Sequence, residues 1–142
     1  MNFLQKFESA NAPKAIGPYS PAVKLGDFVY LSGQLGMDKD GVLNDDVVEQ
    51  THQSMKNIGS LLAEMGLSYR HIVKTTVFVK DLNDFGKINE VYGSYFTEGV
   101  YPARSCVAVA RLPSLPRKSE RPSRLLRMLL RKKNSKYFCL KI

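Results

Sequence analysis

Apolar residues recur along the chain first at every second position, then at steps of three and four, then at every second position again. Val23 to Leu25 and Phe28 to Ser32 predict two short strands. Gly26-Asp27 between them suits a type I′ or II′ hairpin turn. Residues 1–12 predict a short edge strand, and Gly17-Pro18-Tyr19-Ser20-Pro21 predicts a rigid loop. Residues 33–46, rich in glycine and aspartate, read as a loop. Val48, Thr51, Met55, Ile58, Leu62 and Met65 then define one face of a long helix. Asp46 is placed to cap it with Glu49 completing a capping box, and Gly66 stands where a left-handed C-cap belongs. The β-branched run from His71 to Lys80 predicts a strand. A second helix starts near Asn83-Asp84, with Phe85, Ile88, Val91, Tyr92, Tyr95 and Phe96 on its apolar side. Gly99 and Pro102 end that region. Arg104 to Arg111 predicts a further strand, closed by Leu112-Pro113.

This order predicts an α+β fold, a mixed β-sheet with two helices on one face. A further strand is needed to complete the sheet, and none is evident after residue 113, where Pro116 and Pro122 are unsuited to a central strand. The chain divides into a body, residues 1–113, and an atypical segment, residues 114–142. At 142 residues it fits one core.

Charge sharpens that division. The net charge is +8. Residues 114–142 hold ten Lys/Arg and one acid, hence +9; residues 1–113 hold eleven bases and twelve acids, hence −1. All ten glycines precede residue 100. A nucleic-acid argument from basicity therefore concerns the tail alone. Three readings of it stand side by side. It is out of frame from near Ser114, or it is a basic amphipathic helix for RNA, a membrane surface or a partner, with Leu125, Leu126, Leu129 and Leu130 along one side, or it is a solvated tail. No apolar run is long enough to span a bilayer, Met1 to Glu8 lack a signal-peptide layout, and the expected location is cytoplasmic.

Candidate chemistry is sparse. Cys106 and Cys139 form neither a metal spacing nor a disulfide framework. His52 and His71 read as a helix-face residue and a turn residue, and their spacing suits no metal. Tyr92, Tyr95 and Phe96 read as core. Arg104 opens an apolar strand and could present its planar fork to a small carboxylate. It could equally pair with a carboxylate at a subunit contact. Cys106 reads as a small strand residue, Tyr19 as packing for the proline loop, Ser32 as a turn hydroxyl and Asn89 as an exposed helix residue.

Four segments carry a resemblance: Ala15-Ile16-Gly17-Pro18-Tyr19-Ser20, Tyr30-Leu31-Ser32-Gly33-Gln34, the run from Ile72 to Leu82, and Pro102-Ala103-Arg104-Ser105-Cys106-Val107. Together they resemble the Rid family of reactive-intermediate imine deaminases, also called YjgF or L-PSP. The resemblance covers residues 1–113. It implies a fold like bacterial chorismate mutase, a homotrimer with clefts between subunits, and a reaction without cofactor or metal. The implied activity is hydrolysis of reactive 2-enamino or 2-imino acids to 2-keto acids and ammonia. Arg104, Tyr19 and Cys106 match catalytic positions; Ser32, Gly33, Asn89 and Arg104 itself match substrate-binding positions. The backbones of Gly33 and Cys106 are implied to face substrate or water.

The family continues past Leu-Pro into a strand with alternating glutamates, the first of which acts on substrate nitrogen or attacking water. Counting from Pro113, that position is Ser119 and the next is Arg121. Glu120 lies one residue off, which on a strand is the opposite face. The missing glutamate strand weighs against activity. Two other functions stay open: an RNA-binding, endoribonuclease or translation-inhibitor role through the tail, and a non-catalytic ligand-sensing regulator.

Overall fold

The computed structural model describes residues 3–113 and 138–141. Strands β1 (Gln5–Phe7), β2 (Ala22–Leu25) and β3 (Phe28–Leu31) form an antiparallel sheet in that order. The β2–β3 hairpin closes as expected, with Gly26 at φ 60°, a conformation that glycine adopts without Cβ strain. Strand β4 (Gln34–Leu35) lies within the segment expected to be a loop. Two residues are too few to show an alternation, and β4 is held by tertiary hydrogen bonds rather than by local pattern. The joint between β3 and β4 is Ser32-Gly33, where the Ser32 amide donates to the Pro21 carbonyl at 2.9 Å.

Helix α1 (Val47–Glu64) follows. The Asp46 carboxylate caps it by accepting from the Val48 amide, one position short of the capping box expected with Glu49. Its C-terminus is a Schellman turn: Leu67 N–H donates to Leu62 and Gly66 N–H to Ala63, with Gly66 at φ 69°. Met55, Ile58 and Leu61 are fully buried, each contributing about 1.5–3 kcal/mol by transfer out of water. A polar row on the same helix grips β4. Ser54 Oγ donates to the Gln34 carbonyl at 3.0 Å. The fully buried Asn57 amide donates to the carbonyls of Leu35 (3.2 Å) and Met37 (2.8 Å).

A 3₁₀ turn (Tyr69–His71) leads into β5 (Lys74–Val79), which starts three residues later than expected. A second 3₁₀ turn (Leu82–Asp84) opens α2 (Phe85–Gly93). This helix stops short of Tyr95 and Phe96, which pack against the core from just beyond its end. Strand β6 (Ala103–Ala108) runs parallel to β5 after this helical crossover.

The remaining strand corrects the sequence reading. Residues Phe138–Lys141 form β7, so the tail does supply a strand after residue 113. It pairs antiparallel with both β4 and β5, giving the mixed order β4-β7-β5-β6. The prolines at 116 and 122 do not forbid it, because it lies well beyond them. Three apolar residues among lysines carry too weak a pattern to announce a strand; the slot between β4 and β5 supplies the missing partners. The proposed leucine-lined tail helix falls outside the described residues.

Thr75, Val77 and Val79 of β5 are buried, while Lys74, Thr76 and Phe78 alternate on the opposite face. The helices therefore cover one face of the sheet, as expected.

Two outcomes follow. A Cβ at Gly36 would lie 2.5 Å from the Gln50 backbone, so Gly36→Ala is expected to cost about 1–3 kcal/mol, read as a lower urea midpoint. Deleting residues 138–142 strips the pairing of β4 and β5 and is expected to lower the melting temperature by at least about 5 °C, the shift that ~1–2 kcal/mol produces at this size. An unchanged melting temperature would contradict the role of β7.

Candidate functional site

Arg104 lies on β6, the edge of the described four-stranded sheet, directly opposite Thr75 of β5. Its side chain points to the helix-covered side. There α2 presents Phe85, Asn89 and Tyr92, spaced i, i+4 and i+7 and so along one helical stripe. Arg104 Nη1 donates to Asn89 Oδ1 at 2.6 Å. The guanidinium carbon sits 4.9 Å from the Tyr92 ring centroid and 5.4 Å from that of Phe85. These are cation–π distances. The guanidinium is exposed, and among the described residues no carboxylate pairs with it.

Cys106 is two residues along the same strand, on the same side and half-buried. Burial pushes its thiol above the usual value, and the nearby Arg104 charge only partly opposes this. The side chain is therefore a protonated thiol at neutral pH. Its backbone is placed differently. Ala103 N–H donates to Val73 and Val109 N–H to Val79. Hydrogen bonding in the ladder alternates, so the odd-numbered residues face β5 and the amides of Arg104 and Cys106 face the outer edge.

The other expected residues form a second group. Ser32 Oγ donates to the Ser20 carbonyl at 2.7 Å, which ties the joint after β3 to the proline loop. Tyr19 is exposed, and its hydroxyl accepts from the Ile16 amide at 3.4 Å. Gly33 is exposed beside Ser32. No hydrogen bond among the described residues joins this group to Arg104, Asn89 and Cys106. Ser119, Glu120 and Arg121, around the expected glutamate position, lie outside the described residues.

Phe85, Tyr92 and Thr75 were not read as part of the site. The Phe85/Asn89/Tyr92 spacing was visible, but its aromatic members were absorbed into the helix's apolar side. Tyr92 is in fact both core and platform: it is 4% exposed, and its hydroxyl meets Thr75 Oγ1 at 2.8 Å. Burial raises its phenol above the ordinary range, against smaller opposing effects of the Thr75 hydrogen bond and the Arg104 charge. The histidines sit as expected, with His52 Nδ1 2.8 Å from the Tyr95 hydroxyl and His71 Nδ1 accepting from the Ser68 amide. Among the described residues no cluster of His, Cys, Asp or Glu could hold a metal, and no helix is long and apolar enough to cross a membrane.

The sequence model of the family described as endoribonuclease L-PSP matches residues 9–119. The chain belongs to this family, the Rid proteins. Among curated Rid proteins, the 2-iminobutanoate/2-iminopropanoate deaminase of Salmonella typhimurium is 53% identical over 106 residues, spanning 72% of this chain and 83% of the relative. A RutC family protein of Pyrococcus abyssi is 49% identical over 104 residues, spanning 72% and 81%. Solved Rid structures superpose closely. Escherichia coli TdcF with bound serine gives a TM-score of 0.78 at 36% identity, covering 96% of this chain and 94% of TdcF. YyfA from Yersinia pestis gives 0.79 at 33%, covering 98% and 96%.

The raised Cys106 thiol has a measurable sign. A thiolate that forms only above the ordinary range reacts slowly at neutral pH, so iodoacetamide labelling of Cys106, mapped by peptide mass spectrometry, is expected to keep accelerating beyond pH ~8.5. A plateau below pH 8 would show a depressed, activated thiol instead.

Proposed function

We propose that this Rid protein hydrolyses 2-enamino and 2-imino acids to 2-keto acids and ammonia, with Arg104 holding the substrate carboxylate. The observation that carries this is the state of Arg104. Among the described residues its guanidinium is gripped by neutral groups alone, Asn89 and two rings, and its charge meets no acid. A planar cation held this way favours a small carboxylate, which can accept two parallel hydrogen bonds. The names of the relatives, 2-iminobutanoate/2-iminopropanoate deaminase, and the serine bound by TdcF support a substrate of amino-acid size carrying that group.

The chemistry asks little of the protein. Water adds to the imine carbon, the nitrogen takes up protons, and the carbon–nitrogen bond breaks to leave a keto group and ammonia. Orientation and a few polar groups suffice. The outward amide of Cys106 is suited to bind a developing charge or the water beside Arg104. The group of Tyr19, Ser32 and Gly33 would complete the cleft from a neighbouring subunit. Exposed aromatic and apolar residues on both sheets support such an assembly: Phe28 (68% exposed) and Tyr30 (59%) on β3, and Val107 (43%) on β6. We read the assembly as a homotrimer, as in the family.

Purified protein is expected to accelerate 2-iminobutanoate hydrolysis over buffer, and Arg104→Ala to remove at least about 100-fold of that rate, as loss of a substrate-orienting contact does. A variant retaining the full rate would refute the anchor. The charge of residues 114–142 favours a second reading, RNA binding. It requires affinity that falls steeply with salt, and salt-independent binding would exclude it.

A further inference from the structure

The restraints on Arg104 divide by direction. The bond to Asn89 Oδ1 lies along one N–H of the guanidinium. A single such bond leaves the plane free to roll about its own axis. The aromatic faces oppose that roll, because a flat cation over a flat ring is held by charge and by contact at once. Phe85 is partly exposed, whereas Tyr92 is 4% exposed and leans on Phe96 at 4.9 Å between centroids. The Tyr92 hydroxyl is held by Thr75 Oγ1, itself 1% exposed. Thr75 stands directly opposite Arg104 in the parallel ladder. One closed circuit therefore runs from Arg104 across the ladder to Thr75, through the hydroxyl to Tyr92, and from the ring back to Arg104.

We propose that Tyr92 is a positioning residue for Arg104: its ring, locked by the hydroxyl bond to Thr75, sets the guanidinium plane and so the direction in which its open edge meets a carboxylate. This rests on the deaminase reading for its consequence but not for its geometry. It explains why a tyrosine serves where a phenylalanine would fill the same core space. A phenyl ring leaves the Thr75 hydroxyl without this partner and loses the anchor that fixes ring position.

The test follows the Arg104 guanidinium directly, by nitrogen-15 NMR of its side-chain N–H groups, alongside calorimetric binding of the product 2-oxobutanoate. In the wild type the Arg104 signals are expected to be ring-current shifted and slow in rotation. Tyr92→Leu should abolish both signatures and weaken 2-oxobutanoate about three- to tenfold, while Tyr92→Phe, which keeps the ring and loses the anchor, should keep the shift but speed the rotation. Thr75→Val, which keeps the packing and removes only the anchor, should speed the rotation, and it serves if Tyr92→Leu does not fold. Unchanged Arg104 signals and affinity in a folded Tyr92→Leu protein, or unchanged rotation in Thr75→Val, overturn the proposal. If the signals respond as expected but the wild type neither binds 2-oxobutanoate nor hydrolyses imines, the deaminase reading fails and the positioning role stands. If it binds and hydrolyses but the signals do not respond, the positioning role fails alone.

Discussion

A single polar contact inside the core, between Thr75 and Tyr92, sets where the rest of the site falls. Strand β5 buries Thr75, Val77 and Val79 against the helices, and Thr75 is the one hydroxyl among them. An unmet hydroxyl at that depth costs on the order of 1–3 kcal/mol. The contact with Tyr92 satisfies it and fixes the rotation of α2 about its axis. Once Tyr92 faces β5, Asn89 and Phe85 on the same stripe must face β6. Arg104 enters a position already lined on its helix side, and what remains open is the side toward solvent.

The other end of the sheet is governed by a similar economy of buried polar groups. Strand β4 has only two residues and little pattern of its own. Ser54 and Asn57 reach from α1 to the backbone carbonyls of Gln34, Leu35 and Met37, and Gln50 holds the loop before α1 through the Asn44 carbonyl. Gly36 allows the backbone to approach α1 closely enough for those bonds. Ser32-Gly33, the joint of the second residue group, is thereby carried on a segment whose position is dictated by a helix rather than by a strand.

Much of this was legible in the residues. The α1 stripe, the β2–β3 hairpin and the β5 alternation are local patterns dominated by burial, and each formed close to where its periodicity placed it. The segment around Arg104 singled out the arginine, the family resemblance pointed to Asn89, and the two lie side by side. What stayed hidden depends on distant partners. Strand β4 exists because α1 binds its carbonyls, and β7 exists because β4 and β5 offer it two ladders. Neither signal is present in the strand's own residues. The aromatic platform was hidden for a different reason: a tyrosine on an apolar helix face reads as core, and here it is core, with its other face turned to the guanidinium.

The position of β7 also bears on the order of events as the chain folds. Leu140 pairs with Gln34 on one side and Val77 on the other, so the middle of the four-stranded sheet is assembled from segments far apart in the sequence. Loop closure of that span is slow compared with forming the hairpin or α1. During synthesis the body emerges first, with β5 and β6 able to pair through α2 while the place beside β4 stands open. For that interval two facing strand edges are unsatisfied, and any extended segment of another nascent chain competes for the same hydrogen bonds.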